Sequence, residues 1–120
     1  MSITAAQPGV LATMQDAQTV GNGLVLSIPP SITRHSIYVK GNGAIGAGAI
    51  TFETASDPEY AGTWAPLVSD LATPTANPMT VVASSELRYT FTGVVAAIRA
   101  RISTTVTTTT VTVKYLGATR

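Results

Sequence analysis

The chain has 120 residues and a mass of 12.3 kDa, which is enough for one domain with a buried core. It contains no cysteine, and its seven Lys and Arg residues nearly balance six Asp and Glu residues. This composition excludes a disulfide framework, a thiolate metal site and a strongly basic nucleic-acid-binding domain. Charged residues make up only 11%, against about 25% in an ordinary globular domain.

The first 18 residues lack a clean hydrophobic period and contain Pro8 and Gly9. We predict an N-terminal arm over residues 1–18, with one helical turn at 10–17, followed by a single domain at 19–120. The arm has Asp16 as its only charged side chain, and docking on a neighbour would bury its apolar residues, Ile3, Val10, Leu11 and Met14. The alternative is a tail that never orders. The start also lacks the basic region and apolar stretch of a signal peptide.

Beyond residue 18, apolar residues alternate with polar ones, as in Ile98-Arg99-Ala100-Arg101-Ile102. This period predicts about eight strands, at 19–28, 34–41, 46–54, 62–67, 79–83, 86–92, 95–104 and 109–116. No helix of ten residues is indicated, so we predict an all-β protein, an antiparallel β-sandwich or jelly-roll-like fold. The alternation predicts these inward residues: Ile37, Val39, Phe52, Leu87, Tyr89, Phe91, Ile98, Ile102, Val111 and Val113.

Two low-complexity stretches separate predicted strands. Residues 41–48 contain a G-x-G-x-x-G spacing, but a strand follows it, and the phosphate-binding motif requires a helix there. We therefore interpret it as a hairpin connection. The threonine-rich run at 104–110 is likewise predicted to form strand ends and a hairpin turn.

The sequence contains few side chains of the types used in catalysis or metal binding. His35 is the only histidine, and we expect it to be partly exposed at a strand start. One histidine without cysteine cannot form a transition-metal cluster, and the spacing of Asp57, Glu59 and Asp70 matches no calcium loop. We therefore predict no catalytic residue, no metal and no cofactor, and hence no enzyme.

Arginine and lysine side chains at alternating strand positions could contact the phosphates of a nucleic acid. Arg99 and Arg101 share a strand face, and Arg88 and Lys114 are expected on the same sheet. Glu53 and Glu86 can neutralise this stripe, so we interpret it as an outward salt-bridged ladder and expect no nucleic-acid partner. The longest apolar run has five residues, at 94–98, which is too short for a membrane span.

Tyr60 and Trp64 stand close together near a predicted loop. Two such aromatic rings can stack on a sugar, as in a carbohydrate-binding module. The other interpretation, which we favour, makes Trp64 a packing residue of the domain.

The segments at 50–57 and 62–67 combine a strand, Ser56-Asp57, the Gly62-Thr63-Trp64 triplet and Pro66-Leu67. Together with the closing segments at 91–102 and 111–117, they resemble small structural proteins of tailed bacteriophages. The resemblance implies a β-sandwich component of the virion, assembled in the host cytoplasm. It further implies a capsid decoration or cement protein that binds the major capsid protein or other virion proteins. Tail and head-fibre modules, with a glycan- or receptor-binding role, share the pattern.

Low charge points independently to permanent contacts, because neutral Thr, Ser, Ala and Gly surfaces become buried without desolvating an ion. Strand edges rich in Thr and Val invite pairing. We therefore expect a homo-oligomer, a dimer or a trimer.

Overall fold

The structure is a computed structural model that describes residues 3–68, 77–81 and 86–119. These residues form strands and connections with no helix, so the prediction of an all-β fold is confirmed. The strands are β1 (Ile3–Ala5), β2 (Ala12–Gln18), β3 (Val25–Ser27), β4 (Arg34–Gly41), β5 (Ala49–Ala55), β6 (Ala65–Pro66), β7 (Met79–Thr80), β8 (Glu86–Thr92), β9 (Ala97–Thr104) and β10 (Val111–Ala118).

The strands form two sheets with one shared core, a β-sandwich-like arrangement. The first sheet has the order β1-β3-β9-β5-β6, with β7 also paired to β5, and the second has the order β2-β10-β4-β8. Among the described strands, all pairings are antiparallel except that of β1 with β3. Strands β2, β3, β4 and β5 alternate between the sheets, as do β8, β9 and β10. Their connections therefore cross from one layer to the other.

The inward residues predicted from the alternation are nearly all buried in this core. Leu87 is the exception, because it lies half-buried near the start of an outer strand of its sheet. Phe52 of the first sheet stacks on Tyr89 of the second, with ring centroids 4.4 Å apart. This contact joins the two layers directly, and each large apolar side chain buried there contributes about 1.5–3 kcal/mol.

The helical turn predicted at 10–17 is wrong, because residues 12–18 form strand β2 along the edge of β10. Two register shifts interrupt this pairing, and Ala17 has a φ of 51°. These irregularities hide the two-residue period in the sequence. Met14 is fully buried, and β1 pairs with β3 through its backbone while its three side chains remain exposed. Docking of the N-terminal segment on another subunit stays a prediction.

The two predicted hairpins are also wrong. Residues 41–48 lead from β4 to β5, and residues 104–110 lead from β9 to β10, so each connection changes sheets. The two connections bond to each other instead, through Gly46 N–H to Thr107 O (3.1 Å) and Thr107 N–H to Ala47 O (3.0 Å). A Cβ atom at Gly46 would lie 2.6 Å from Thr107 Oγ1, so a side chain at this position would force the threonine side chain to move.

Strands β6 and β7 each pair with one part of β5, and the side chain of Asn77 bonds to the β5 backbone between them. Its Oδ1 accepts from Phe52 N–H, and its Nδ2 donates to Phe52 O and Leu67 O, each at 2.9 Å. We expect Asn77→Ala to lower the free energy of unfolding by about 1–3 kcal/mol, because it leaves the N–H of the buried Phe52 without an acceptor. The two carbonyl oxygens keep their bonds from Leu67 N–H and the Tyr89 hydroxyl. Urea denaturation measures the loss. The exposed Asn22→Ala is the control and should change little; equal effects of the two substitutions would contradict this role.

Candidate functional site

His35 lies in the interior, and the expectation of partial exposure is wrong. It is 2% exposed and stacks on Phe91 with ring centroids 4.3 Å apart. His35 is buried because of its position in the alternation: it shares the inward face of β4 with Ile37 and Val39, while Arg34 points outward. The alternation in the sequence carried this signal, since His35 is two residues before Ile37.

The hydrogen bonds of His35 define its tautomer. Nε2 lies 2.9 Å from the Gly93 carbonyl oxygen, and Nδ1 lies 2.6 Å from the Tyr115 hydroxyl. A carbonyl oxygen only accepts, so Nε2 carries the proton and Nδ1 accepts from Tyr115. Burial lowers the pKa of His35, although the Gly93 carbonyl opposes this shift, and burial raises the pKa of Tyr115. Both groups are therefore neutral at pH 7, and the pair links β4 to β10 as a structural network.

The lowered pKa of His35 makes stability depend on pH with a definite sign. Between the folded-state pKa and the ordinary value of 6.5, the unfolded chain binds more protons than the folded one. The stabilisation is therefore complete above about pH 6.5 and is lost as the pH falls through the folded-state pKa. We expect the free energy of unfolding of wild-type protein to drop between pH 7.5 and 5 by more than that of His35→Phe, as measured by urea denaturation. Equal drops would contradict the assignment.

The outer face of the first sheet carries one compact charged cluster. Glu53 accepts from Arg99 Nε at 2.9 Å and from Arg101 Nη2 at 3.2 Å, so its predicted neutralising role is confirmed. The prediction that all four cations form one stripe is wrong, because Arg88 and Lys114 lie on β8 and β10 of the other sheet. Alternation shows which residues share a face of one strand, but not which strands share a sheet.

Trp64 is a packing residue, as the favoured interpretation predicted. It is 3% exposed and packs against Val25 and Ala97 on the outside of the first sheet. The Arg99 guanidinium lies 4.4 Å from the centre of its ring, and its Nε1–H donates to Tyr60 O at 2.9 Å. Tyr60 itself is exposed. Trp64 therefore anchors the loop at 56–64 through the Tyr60 backbone, and the two rings do not form an open stacking surface.

The candidate interface residues from the sequence divide into two groups. Met14 and Trp64 are buried, Met14 at an inward position of β2 and Trp64 under the loop that folds it onto the outer face of the first sheet. The other four are exposed by 40–52% of their surface: Ile3, Val10, Leu11 and Tyr60.

Two grooves that the sequence analysis did not predict lie on the outer face of the second sheet, both lined by described residues. The arginine groove, of about 730 Å³, lies near the start of β4 and is lined among others by Arg34, Ser36, Arg88, Thr92 and Leu116. The Pro8–Gly9 turn borders it, where Gly9 N–H donates to Gly117 O at 2.9 Å. The alternation in the sequence indicates which residues of β4, β8 and β10 point outward. It does not indicate that these three strands are neighbours in one sheet.

The lysine groove, of about 450 Å³, lies at the other end of the same face. Its charged lining residues are Asp16, Lys40, Glu86 and Lys114. The register places Lys40 opposite Glu86, and Lys114 opposite Thr13 of β2. Two cations thus share this groove with two carboxylates.

Within residues 3–68, 77–81 and 86–119, no group of three or more His, Asp or Glu side chains is placed to hold a metal ion. Asp70, one of the three acidic residues considered for calcium, lies outside the described residues. The described part also contains no helix long and apolar enough to cross a membrane. In comparisons with known proteins, no family model, curated protein or solved structure matches the chain.

Proposed function

We propose that the protein is a non-enzymatic structural component of a tailed-phage virion, a decoration or cement protein that binds and stabilises the assembled head. The strand order carries this proposal. Orders β2-β10-β4-β8 and β3-β9-β5-β6, with the chain passing between sheets, support an eight-stranded jelly roll. That architecture serves in viral capsid domains, lectins and cupins.

The side chains favour the capsid-type role among these three. A cupin-type metal centre uses several histidines, whereas this sequence has one, which is committed to Tyr115 and Gly93. A sugar site of the kind considered for Tyr60 and Trp64 needs an open ring face, and Trp64 lies under Arg99. A neutral, threonine-rich surface suits permanent contact, because little charge is desolvated when it is covered.

The N-terminal segment offers the apolar part of such a contact. Ile3 is exposed on β1, and Val10 and Leu11 are exposed directly before β2. We propose that this segment touches the major capsid protein or another virion protein, and that the chain acts as a dimer or trimer. Light scattering tests the oligomer: a clean monomer at micromolar concentration would contradict self-association in solution.

Cosedimentation tests the function directly. Heads assembled from the major capsid protein of the same phage, without this chain, should bind it saturably and should then resist heat or chelator better. Leu11→Asp should weaken binding, whereas the exposed Thr104→Asp, at the opposite end of the sandwich, should not. Absence of binding would overturn the proposal. Binding to purified host glycans, sensitive to Tyr60→Ala, would favour a tail or head-fibre module with a receptor-binding role.

A further inference from the structure

The charges on the outer face of the second sheet are distributed unequally. Lys40 and Lys114 share the lysine groove with two carboxylates, but no carboxylate of the described residues lines the arginine groove. The ion pairs in the described part of the chain both involve Glu53, on the other sheet. Arg34 and Arg88 therefore present two guanidinium groups without a carboxylate partner among these residues.

The register defines the spacing of these two cations. Arg34 is opposite Thr92, and Arg88 is opposite Tyr38, four residues further along β4. Standard sheet dimensions place the two Cα atoms about 14 Å apart. In an extended chain, side chains at positions i and i+4 point the same way and lie about 13 Å apart. An extended segment running along the strands can therefore present one side chain to each arginine.

The groove has the chemistry for carboxylates on a polypeptide. Guanidinium groups bind carboxylates through two parallel N–H···O bonds, which an ammonium group cannot reproduce. Between the two arginines, the uncharged Ser36 and Leu116 offer one hydroxyl and an apolar contact. A peptide backbone can bond to this hydroxyl, since it both donates and accepts.

The same observations argue against the other polyanions. Binding of a nucleic acid depends on many phosphate contacts and, for single strands, on stacked aromatic rings. The aromatic residues lining the arginine groove, His35 and Phe91, are buried with their rings in the core. Two arginines over an uncharged floor match a pair of carboxylates better than a continuous line of charge.

We propose that the arginine groove is a docking site for an extended acidic segment of a partner protein, with carboxylates at positions i and i+4 paired to Arg34 and Arg88. The identification of that partner with a head protein rests on the proposed function. The chemistry of the groove does not depend on it.

Fluorescence anisotropy with a labelled ten-residue peptide of alternating Thr and Glu tests the site without any phage particle. The wild-type protein should bind this peptide and not the matched Thr/Gln peptide. The double variant Arg34→Ala/Arg88→Ala should weaken binding at least tenfold. The control Lys40→Ala/Lys114→Ala removes the same charge from the same face and should weaken binding less than twofold. Matching urea midpoints for all three proteins establish that both variants are folded.

Several results would overturn the assignment. Equal weakening by both double variants would mean attraction by net charge alone, and failure of the wild-type protein to bind at millimolar peptide would remove the site. Tighter, arginine-dependent binding of a heparin fragment or a DNA oligonucleotide would replace the protein segment with another polyanion. Head cosedimentation separates the two proposals. Wild-type protein that binds the peptide but not heads overturns the proposed function alone, whereas an arginine variant that decorates heads normally overturns docking of heads through this groove.

Discussion

Replacing Ile98 by Asp should abolish the folded state. Ile98 is fully buried in β9, opposite Leu26 on one side and Thr54 on the other. The substitution removes a large apolar side chain, which costs about 2–5 kcal/mol, and buries a carboxylate at a cost of several kcal/mol more. That sum approaches the whole stability of a typical domain, about 5–15 kcal/mol. Circular dichroism and amide chemical-shift dispersion should show an unfolded chain.

Two control substitutions separate the effect of the buried position from the effect of the introduced carboxylate. Ile98→Val keeps the apolar character and should cost only about 0.5–1.5 kcal/mol. Thr104→Asp places the same carboxylate on the exposed end of the same strand and should stay within about 0.5 kcal/mol of wild type. A cooperative unfolding transition of Ile98→Asp at the wild-type midpoint would show that β9 does not line the core.

The second large effect is expected at Gly117, which lies opposite His35 in the β4–β10 register. A Cβ atom there would be 2.5 Å from the Tyr115 hydroxyl oxygen and 2.7 Å from Ile32 Cγ2. Both neighbours are fully buried, so neither can move without disturbing the core. We expect Gly117→Ala to lower the free energy of unfolding by about 2–4 kcal/mol, through overpacking and loss of the bond from Tyr115 to His35.

A double-mutant cycle tests this cause. Tyr115→Phe removes the oxygen nearest to the new methyl group, so Gly117→Ala should cost less in that background, with a coupling of about 0.5 kcal/mol or more. Gly43→Ala is the matched control, because its Cβ would meet only the half-buried Thr109 side chain, no closer than 3.2 Å. Strict additivity of Gly117→Ala and Tyr115→Phe, or equal losses at the two glycines, would contradict the steric explanation.

The grooves show how far sequence reasoning reached the candidate site. Arg34, Arg88 and Lys114 were readable as outward residues of three strands, and the β4, β8 and β9 predictions lie close to the observed bounds. Their grouping could not be predicted. Arg88 was expected on the sheet of Arg99, whereas the structure places it beside β4, the strand of Arg34, on the other sheet. Partner strands are tens of residues apart in the chain, and no local pattern records which of them become neighbours.

The all-β class, most of the inward positions of β4, β5, β8, β9 and β10, and the small number of groups able to do chemistry could be predicted from the sequence. A period of two is enough for this, because successive side chains of a strand point to opposite faces and only one face can be buried. Tertiary structure alone decided the sheet to which each strand belongs, the edge pairing of β2 and the contact between the connections at 41–48 and 104–110. Backbone hydrogen bonds are nearly the same for every residue type, so they do not select one strand pairing over another. The pairing is selected because it buries the apolar faces of all the strands at once.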